Sequence, residues 1–202
     1  MKKNLLPIYF VRHGETVWNT EKRLQGQLDS PLTNNGIQQI QSLLPELKKL
    51  SISQVLTSPL GRAMESAKII AEHFNIFLNV IDDLKERHFG DWQGELFEEL
   101  KSKGLFSSVL LNVNNDKPNG GESGLNCAKR MQGYLMNQIK NESFEHTLIM
   151  THGEILRCFL SQLPVLNGKN NEQLSADAYS QYRNGRIFKV AYCFEDKKFY
   201  CI

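Results

Sequence analysis

The sequence has no strong excess of charge of either sign and no long apolar run. Its 24 basic and 22 acidic residues leave a formal net charge of +2, which argues against binding of nucleic acid or a membrane surface through overall charge. No run of about 18 apolar residues is present, so we expect no membrane-spanning helix. Any recognition of an anion must therefore come from a local cluster of basic residues.

Cysteine is also scarce, and no two of the cysteines form a C-x-x-C pair. The four are Cys127, Cys158, Cys193 and Cys201, and each lies in an otherwise apolar segment. This pattern is typical of reduced, buried thiols. The beginning of the chain also lacks the long apolar core and small-residue cleavage site of a signal peptide. We therefore expect a soluble, unprocessed protein in the cytoplasm.

The composition is that of one globular domain over residues 1–202, with 41% hydrophobic and 23% charged residues. Short apolar runs at 8–11, 54–57 and 147–151 are each followed by a turn signal and then by helical periodicity. Such runs predict buried parallel strands in an α/β sheet. The tail from 187 to 202 predicts a hairpin that closes the edge of this sheet.

Basic side chains follow these predicted strands. Arg12 and His13 come directly after the first strand, and His152 comes directly after the third. Arg62 falls in the first turn of the helix that follows the second strand. Ligands of α/β proteins bind at the carboxyl ends of the parallel strands, so we expect these four side chains to converge on one anion.

Local capping signals predict where two of the helices begin. Ser58 is predicted to cap the second strand's helix, with Pro59 as its first residue. Glu122 and Ser123 are predicted to cap a helix over 122–140, with a contact to substrate as the alternative. Before that helix, residues 112–121 are rich in Asn and Gly and predict a loop.

Seven ordered motifs make the chain resemble the histidine phosphatase superfamily, in its phosphoglycerate-mutase-like branch. They are R-H-G-E-T at 12–16, R-L-Q-G at 23–26, D-S-P-L-T at 29–33, S-P-L-G-R-A at 58–63, L-K-E-R-H-F-G-D-W-Q-G at 84–94, G-G-E-S at 120–123 and T-H-G at 151–153. The chain is most similar to the small-phosphatase type, which includes alpha-ribazole phosphatase. This implies a three-layer α/β/α sandwich whose mostly parallel central sheet has an antiparallel edge strand, with 94–121 as a short cap.

The resemblance also implies a catalytic set. His13 is the expected nucleophile, because a neutral imidazole can attack phosphorus and form a phosphohistidine intermediate. Arg12 and Arg62 are expected to hold the phosphoryl charge, and His152 to donate to a phosphoryl oxygen as a protonated second imidazole. Glu86 occupies the position of the family's acid, which protonates the leaving alkoxide and later takes a proton from water.

Further residues match the family's phosphate pocket. Asn19 corresponds to an asparagine that contacts phosphate, and Gly153 lets the backbone turn closely beside His152. Thr16 and Gln25 are candidates for the same pocket, with capping of a helix or turn as an equal alternative for these two and for Asn19. No metal-binding or Walker-type motif is present, so we expect no metal and no cofactor.

Three functions fit this set of residues. A metal-independent acid-type phosphatase acting on a small phosphorylated metabolite is favoured. The family's cofactor-dependent mutases generally carry a longer insertion between the positions of Gly94 and Gly120, with added basic residues for the substrate carboxylate. In this chain the segment is short and offers only Lys101, Lys103 and Lys117 as basic groups. A phosphoglycerate mutase is the alternative, and it would use 2,3-bisphosphoglycerate as cofactor. A phosphate-binding domain without catalysis would be expected to lack part of the catalytic set, yet all of it is present. The sequence does not select a particular substrate.

Overall fold

The computed structural model describes residues 4–139, 144, 146–166 and 181–202. Within these residues, six strands form one sheet in the order β3-β2-β4-β1-β5-β6. The neighbouring strands among β3, β2, β4 and β1 are parallel to one another. β5 is antiparallel to both of its neighbours, β1 and the edge strand β6. The strands are β1 (Leu5–Arg12), β2 (Gln54–Thr57), β3 (Phe77–Val80), β4 (Thr147–Thr151), β5 (Ile187–Cys193) and β6 (Lys198–Cys201).

Helices connect these strands and cover both faces of the sheet. Residues 33–50 contain two helices, because Pro45 cannot donate a helical hydrogen bond and instead lies in the first turn of the second helix. The described helices are α1 (Val17–Thr20), α2 (Asn34–Gln41), α3 (Leu44–Lys49), α4 (Gly61–Phe74), α5 (Phe97–Leu100), α6 (Gly124–Gln138) and α7 (Gly153–Leu160), with a π-helical turn at Ser107–Leu111 and 3₁₀ turns at Asp82–Leu84 and Gly90–Trp92.

The alternation of side chains along β1 shows how the layers are built. Ile8 and Phe10 face the core shared with α6 and α7, whereas Val11 faces the core shared with α2, α3 and α4. All three side chains are fully or almost fully buried. A strand that is apolar on both faces is expected at the centre of a sheet covered on both sides. The three-layer α/β/α prediction is therefore confirmed.

The start of α4 differs from the prediction. Its N-cap is Leu60 and its first residue is Gly61, so the prediction of Ser58 as the cap is wrong. The carboxylate of Asp29, which comes from a distant loop, accepts hydrogen bonds from the amides of Gly61 and Arg62 instead. Since a carboxylate at a helix N-terminus satisfies unpaired amides and complements the helix dipole, Asp29 does the work of a local cap.

Of the two residues predicted to cap α6, only Ser123 does so. Ser123 is the N-cap, and its Oγ accepts a hydrogen bond of 3.2 Å from the Asn126 amide. Glu122 does not cap the helix with its side chain. Its carboxylate instead forms an ion pair at 2.8 Å with Arg130, which lies about two turns further along the helix.

The state of the cysteines and the hydropathy of the helices agree with the expectations from the composition. All four cysteines are free thiols, and all but the half-buried Cys201 are buried, as predicted. Within the described ranges, no helix combines the length and the apolar character needed to cross a bilayer.

A close approach of two backbone segments leads to a stability prediction. A Cβ atom built on Gly36 would lie 2.1 Å from the carbonyl oxygen of Glu15, in the loop that follows His13. We expect Gly36→Ala to lower the free energy of unfolding by about 1–3 kcal/mol, since neither backbone can move without cost. Urea denaturation would measure this change. Gly133→Ala is the matched control, because a Cβ there meets no atom within 4 Å in the middle of α6.

The control should change stability in the opposite direction. Alanine is favoured over glycine in a helix interior by up to about 1 kcal/mol, so Gly133→Ala should raise the free energy of unfolding. Equal stability of the two variants would contradict the close approach seen at Gly36.

Candidate active site

The two histidines predicted from the strand ends lie side by side. His13 follows β1, His152 follows the adjacent strand β4, and the centroids of their rings are 5.2 Å apart. Arg62 joins them from the first turn of α4, with 3.3 Å between its Nε and Nε2 of His13. The parallel strands thus bring together residues that are far apart in the sequence, at the sheet edge where α/β proteins bind ligands.

Hydrogen bonds fix the tautomer of His13. Its Nδ1 lies 2.7 Å from the carbonyl oxygen of Gly14, which can only accept, so Nδ1 carries a proton. Burial, followed by the charges of Arg62 and Arg12, lowers the pKa of His13 well below its usual value. The ring is therefore neutral, and its unprotonated Nε2, which accepts a hydrogen bond from Nε of Arg62 at 3.3 Å, carries the lone pair that a nucleophile needs.

His152 is also buried and neutral. Burial is the main cause that lowers its pKa well below the usual value, and the charge of Arg62 is the next. Before an anion binds, the ring is therefore neutral, whereas the family resemblance implied a protonated imidazole. Burial disfavours its positive charge, and two arginines already supply positive charge here. Its Nε2 lies 2.7 Å from Oγ of Ser58, whereas its Nδ1 has no hydrogen-bond partner among the described residues.

Arg62 is a buried cation held in place by the loop before α2. Its side chain is 1% exposed, and its guanidinium donates to the carbonyl oxygens of Leu28 and Gly26, each at 2.7 Å, and to the carboxylate of Asp29 at 3.1 Å. Burial lowers the pKa of Arg62, while the carboxylates of Glu86 and Asp29 oppose this change. A guanidinium fixed in this way is already positioned beside His13 before a phosphoryl group arrives.

Arg12 lies beside the first residue of α7. Its Nη1 donates to the carbonyl oxygen of Tyr182, which orients the guanidinium beside the start of α7. A Cβ atom built on Gly153 would lie 3.1 Å from Cζ of Arg12. Glycine therefore permits the contact between this guanidinium and the helix N-terminus, a more specific role than the backbone turn predicted for it.

Glu86 is anchored at the N-terminus of α7. One carboxylate oxygen accepts from the amides of Ile155 and Arg87, each at 2.8 Å, and the other accepts from the amide of Glu154 at 3.1 Å. Burial raises the pKa of Glu86, and the nearby carboxylate of Glu154 raises it further, against the opposing effects of Arg62 and the backbone amides. The carboxyl group is thus disposed to hold its proton at higher pH than an exposed glutamate does.

The three additional pocket candidates have different surroundings. Thr16 is fully buried and caps α1: its Oγ1 accepts from the amide of Asn19 at 3.2 Å and from Nε2 of Gln25 at 2.8 Å. The amide oxygen of Asn19 accepts from the Thr16 backbone and from Asn184, which leaves its NH₂ group as the donor. Asn19 and Gln25 line the cavity, whereas Thr16 lies behind them with the capping role.

A small cavity opens between these groups. Its volume is about 90 Å³, several times what one water molecule needs. Among the described residues, no group of three or more histidine, cysteine, aspartate or glutamate side chains could hold a metal ion. The lining residues are Arg12, His13, Asn19, Arg23, Leu24, Gln25, Gly26, Arg62, Glu86, Phe89, Phe97, Gly153, Glu154, Arg157 and Tyr182.

Sequence reasoning missed a buried ion pair in this lining. The guanidinium of Arg157 binds the carboxylate of Glu154 in bidentate fashion, at 2.5 and 3.1 Å, and Arg87 approaches the same carboxylate at 3.5 Å. All three side chains are at most 5% exposed. The signal was available, because an acid and a base three residues apart interrupt an otherwise apolar helix.

Comparison with known proteins identifies the family. The model of the histidine phosphatase superfamily (branch 1) matches residues 8–183 of the chain. The chain belongs to the histidine phosphatase superfamily. A probable phosphoglycerate mutase GpmB of Escherichia fergusonii is 34% identical over 161 residues, which cover 79% of this chain and 75% of that relative. The resemblance inferred from the seven motifs is thus confirmed.

Solved structures of similar proteins share the fold of this histidine phosphatase superfamily member. Bacillus stearothermophilus YhfR matches with a TM-score of 0.80 and 27% identity, over 96% of this chain and 94% of the other. The alpha-ribazole phosphatase of Shigella flexneri matches with a TM-score of 0.77 and 23% identity, over 98% of this chain and 95% of the other. The matches cover almost the whole length of each chain, so the sheet order and the helical layers are those of the family.

Proposed function

We propose that this member of the histidine phosphatase superfamily hydrolyses phosphomonoesters of small metabolites through a phosphohistidine on His13. The observation that carries the proposal is the position of His13, whose Nδ1 is 2.7 Å from the Gly14 carbonyl oxygen and whose Nε2 accepts from Arg62 at 3.3 Å, in a cavity also lined by Arg12 and Glu86. A nucleophile, two fixed cations and a proton donor are the groups that phosphoryl transfer requires.

In the first step, Nε2 of His13 attacks phosphorus and the bond from phosphorus to the ester oxygen breaks. Arg12 and Arg62 stabilise the charge on the phosphoryl oxygens, and Glu86 gives its proton to the leaving alkoxide. In the second step, water attacks the phosphohistidine while Glu86 takes one of its protons, and the bond from His13 to phosphorus breaks. Inorganic phosphate leaves, and Glu86 is protonated again.

The mutase alternative is favoured by the name of the 34% identical relative, a probable phosphoglycerate mutase. The ion pairs of the segment 94–121 favour hydrolysis instead. Lys101 binds Glu98 at 2.6 Å and Lys103 binds Glu95 at 2.7 Å, and no lysine of the described residues lines the cavity. The two further arginines of the lining are engaged within the protein, Arg23 with the carbonyl oxygen of Gly94 and Arg157 with the carboxylate of Glu154. A retained sugar acid would need a basic group for its carboxylate, so we favour water as the acceptor of the phosphoryl group.

Arginine side chains supply the positive charge in this proposal, without a metal or another cofactor. We also propose that residues 94–121 act as a cap over a single domain. Phe97 of this segment lines the cavity, and its neighbour Leu100 packs with Phe89 in a small separate core beside the site. Exclusion of bulk water by such a cap would strengthen the electrostatic interactions inside the site.

A substrate panel in the presence of a chelator tests the proposed function. We expect release of inorganic phosphate from phosphomonoesters, with an acid-labile phosphoenzyme trapped by rapid quenching. The panel includes 3-phosphoglycerate with and without 2,3-bisphosphoglycerate. A stable phosphoenzyme with an isomerised product would show a mutase, and binding of phosphorylated ligands without turnover would show a non-catalytic domain.

A further inference from the structure

Ser58 is a fully buried residue that joins the end of β2 to the second histidine of the site. Its Oγ lies 2.7 Å from Nε2 of His152, and the amide of Leu60 donates to the same Oγ at 3.3 Å. The helix-capping role predicted from the sequence is absent, since α4 begins three residues later. The side chain of Ser58 is thus directed to His152.

The other hydrogen bond of Ser58 determines whether its hydroxyl group or Nε2 of His152 is the donor between them. A hydroxyl group has one proton to donate and two lone pairs that accept. In the described part of the chain, Nε2 of His152 is the only acceptor within reach of the Ser58 proton, because the other partner is the amide of Leu60, a donor. If Nε2 carried the proton, the buried hydroxyl would have no acceptor, which costs free energy.

The proton of the neutral ring must then reside on Nδ1. This nitrogen is buried, has no hydrogen-bond partner among the described residues, and belongs to a ring 5.2 Å from that of His13. Buried donors are rarely left unpaired in folded proteins. An oxygen of a phosphoryl group on or near His13 is the acceptor that this location fits.

We propose that Ser58 is a positioning residue that fixes the Nδ1–H tautomer of His152, so that the ring presents a donor to the phosphoryl group. The proposal rests on the proposed function, since the phosphoryl group is the expected acceptor. It assigns to Ser58 the role that a hydrogen-bond partner plays for any functional histidine, which is to choose the ring nitrogen that carries the proton.

Long-range ¹H–¹⁵N spectra of the histidine rings test the proposal directly. In the wild-type protein we expect His152 to be protonated at Nδ1 alone, and in Ser58→Ala we expect a mixture of the two tautomers. The kcat/KM of this variant should fall by about 10-fold to 100-fold. Ser58→Thr, which keeps the hydroxyl group, should retain the wild-type tautomer.

Thr57→Val is the matched control. Thr57 is an equally buried neighbour whose hydroxyl donates only to the Ser58 carbonyl at 3.1 Å, so its loss should leave the His152 tautomer unchanged. Protonation of Nε2 in the wild-type protein, or an unchanged tautomer in Ser58→Ala, would overturn the proposal. The spectra need no substrate, so a failure of the proposed phosphatase activity would be recognised separately.

Discussion

Replacement of His13 by alanine should lower kcat/KM by on the order of 10⁴-fold or more, because its imidazole is the group that takes the phosphoryl group in the proposed mechanism. Arg12 and Arg62 would still bind the phosphate, so KM for the substrate should change much less than kcat. The acid-labile phosphoenzyme should vanish together with the activity. Steady-state kinetics and rapid quenching with a ³²P-labelled substrate would measure both effects.

His73→Ala is the matched control for the loss of an imidazole. His73 is exposed near the end of α4, far along the helix from Arg62, and its loss should leave kcat/KM within experimental error. Circular dichroism should show that both variants are folded. Labelled phosphoenzyme in His13→Ala would identify a different nucleophile and would end the proposed mechanism.

Replacement of Glu86 by glutamine should lower kcat by about 10²-fold to 10⁴-fold on an alkyl phosphate, whose leaving alkoxide needs a proton. The effect should be much smaller on an aryl phosphate with a stable phenolate leaving group. Glutamine keeps an oxygen that can accept from the amides of Ile155 and Arg87, whereas its NH₂ group would face the amide of Glu154, which donates to the second carboxylate oxygen in the wild-type protein. The contrast between the two substrates therefore separates loss of the proton from loss of structure.

The pH dependence of kcat/KM in the wild-type protein and in Glu86→Gln follows from the directions of the pKa shifts of His13 and Glu86. The neutral form of His13 is the nucleophile, and its pKa is lowered, so kcat/KM should rise with pH on a limb well below the usual histidine range. The protonated form of Glu86 is the acid, and its pKa is raised, so kcat/KM should fall on an alkaline limb that lies above the usual glutamate range. Glu86→Gln should lack this alkaline limb.

Glu122→Gln is the control for the removal of a carboxylate near the site. Glu122 is paired with Arg130 and does not line the cavity, so this variant should keep both limbs and the wild-type kcat. An alkaline limb that persists in Glu86→Gln would show that another group donates the proton.

The sequence alone was sufficient for the elements that depend on local patterns. The strand at 54–57 could be predicted because a short apolar run is followed by turn residues and an amphipathic helix, and the same holds at 147–151. The positions of His13 and His152 directly after parallel strands then implied that they meet. The edge strand β3 was not predicted, and here apolar character does not report burial, because Phe77 and Val80 are exposed and only Leu78 is partly buried.

The features that escaped prediction depend on contacts between distant segments. Asp29 caps α4 from a loop that precedes it by more than 30 residues, and no local signal marks that partner. Ser58 has the sequence context of an N-cap, yet its hydroxyl group meets His152 at a separation of 94 residues. The second pairing becomes visible only when the sheet order is known, because Ser58 and His152 follow the neighbouring strands β2 and β4.

The central place of β1 has a consequence for folding. His13 directly follows this strand, and both of its hydrogen-bonding neighbours, β4 at Thr147–Thr151 and β5 at Ile187–Cys193, lie far along the chain. Pairing over such sequence distances is slow. The two imidazoles of the site can therefore meet only after non-local strand pairing, so the site forms late in folding rather than with the local helices.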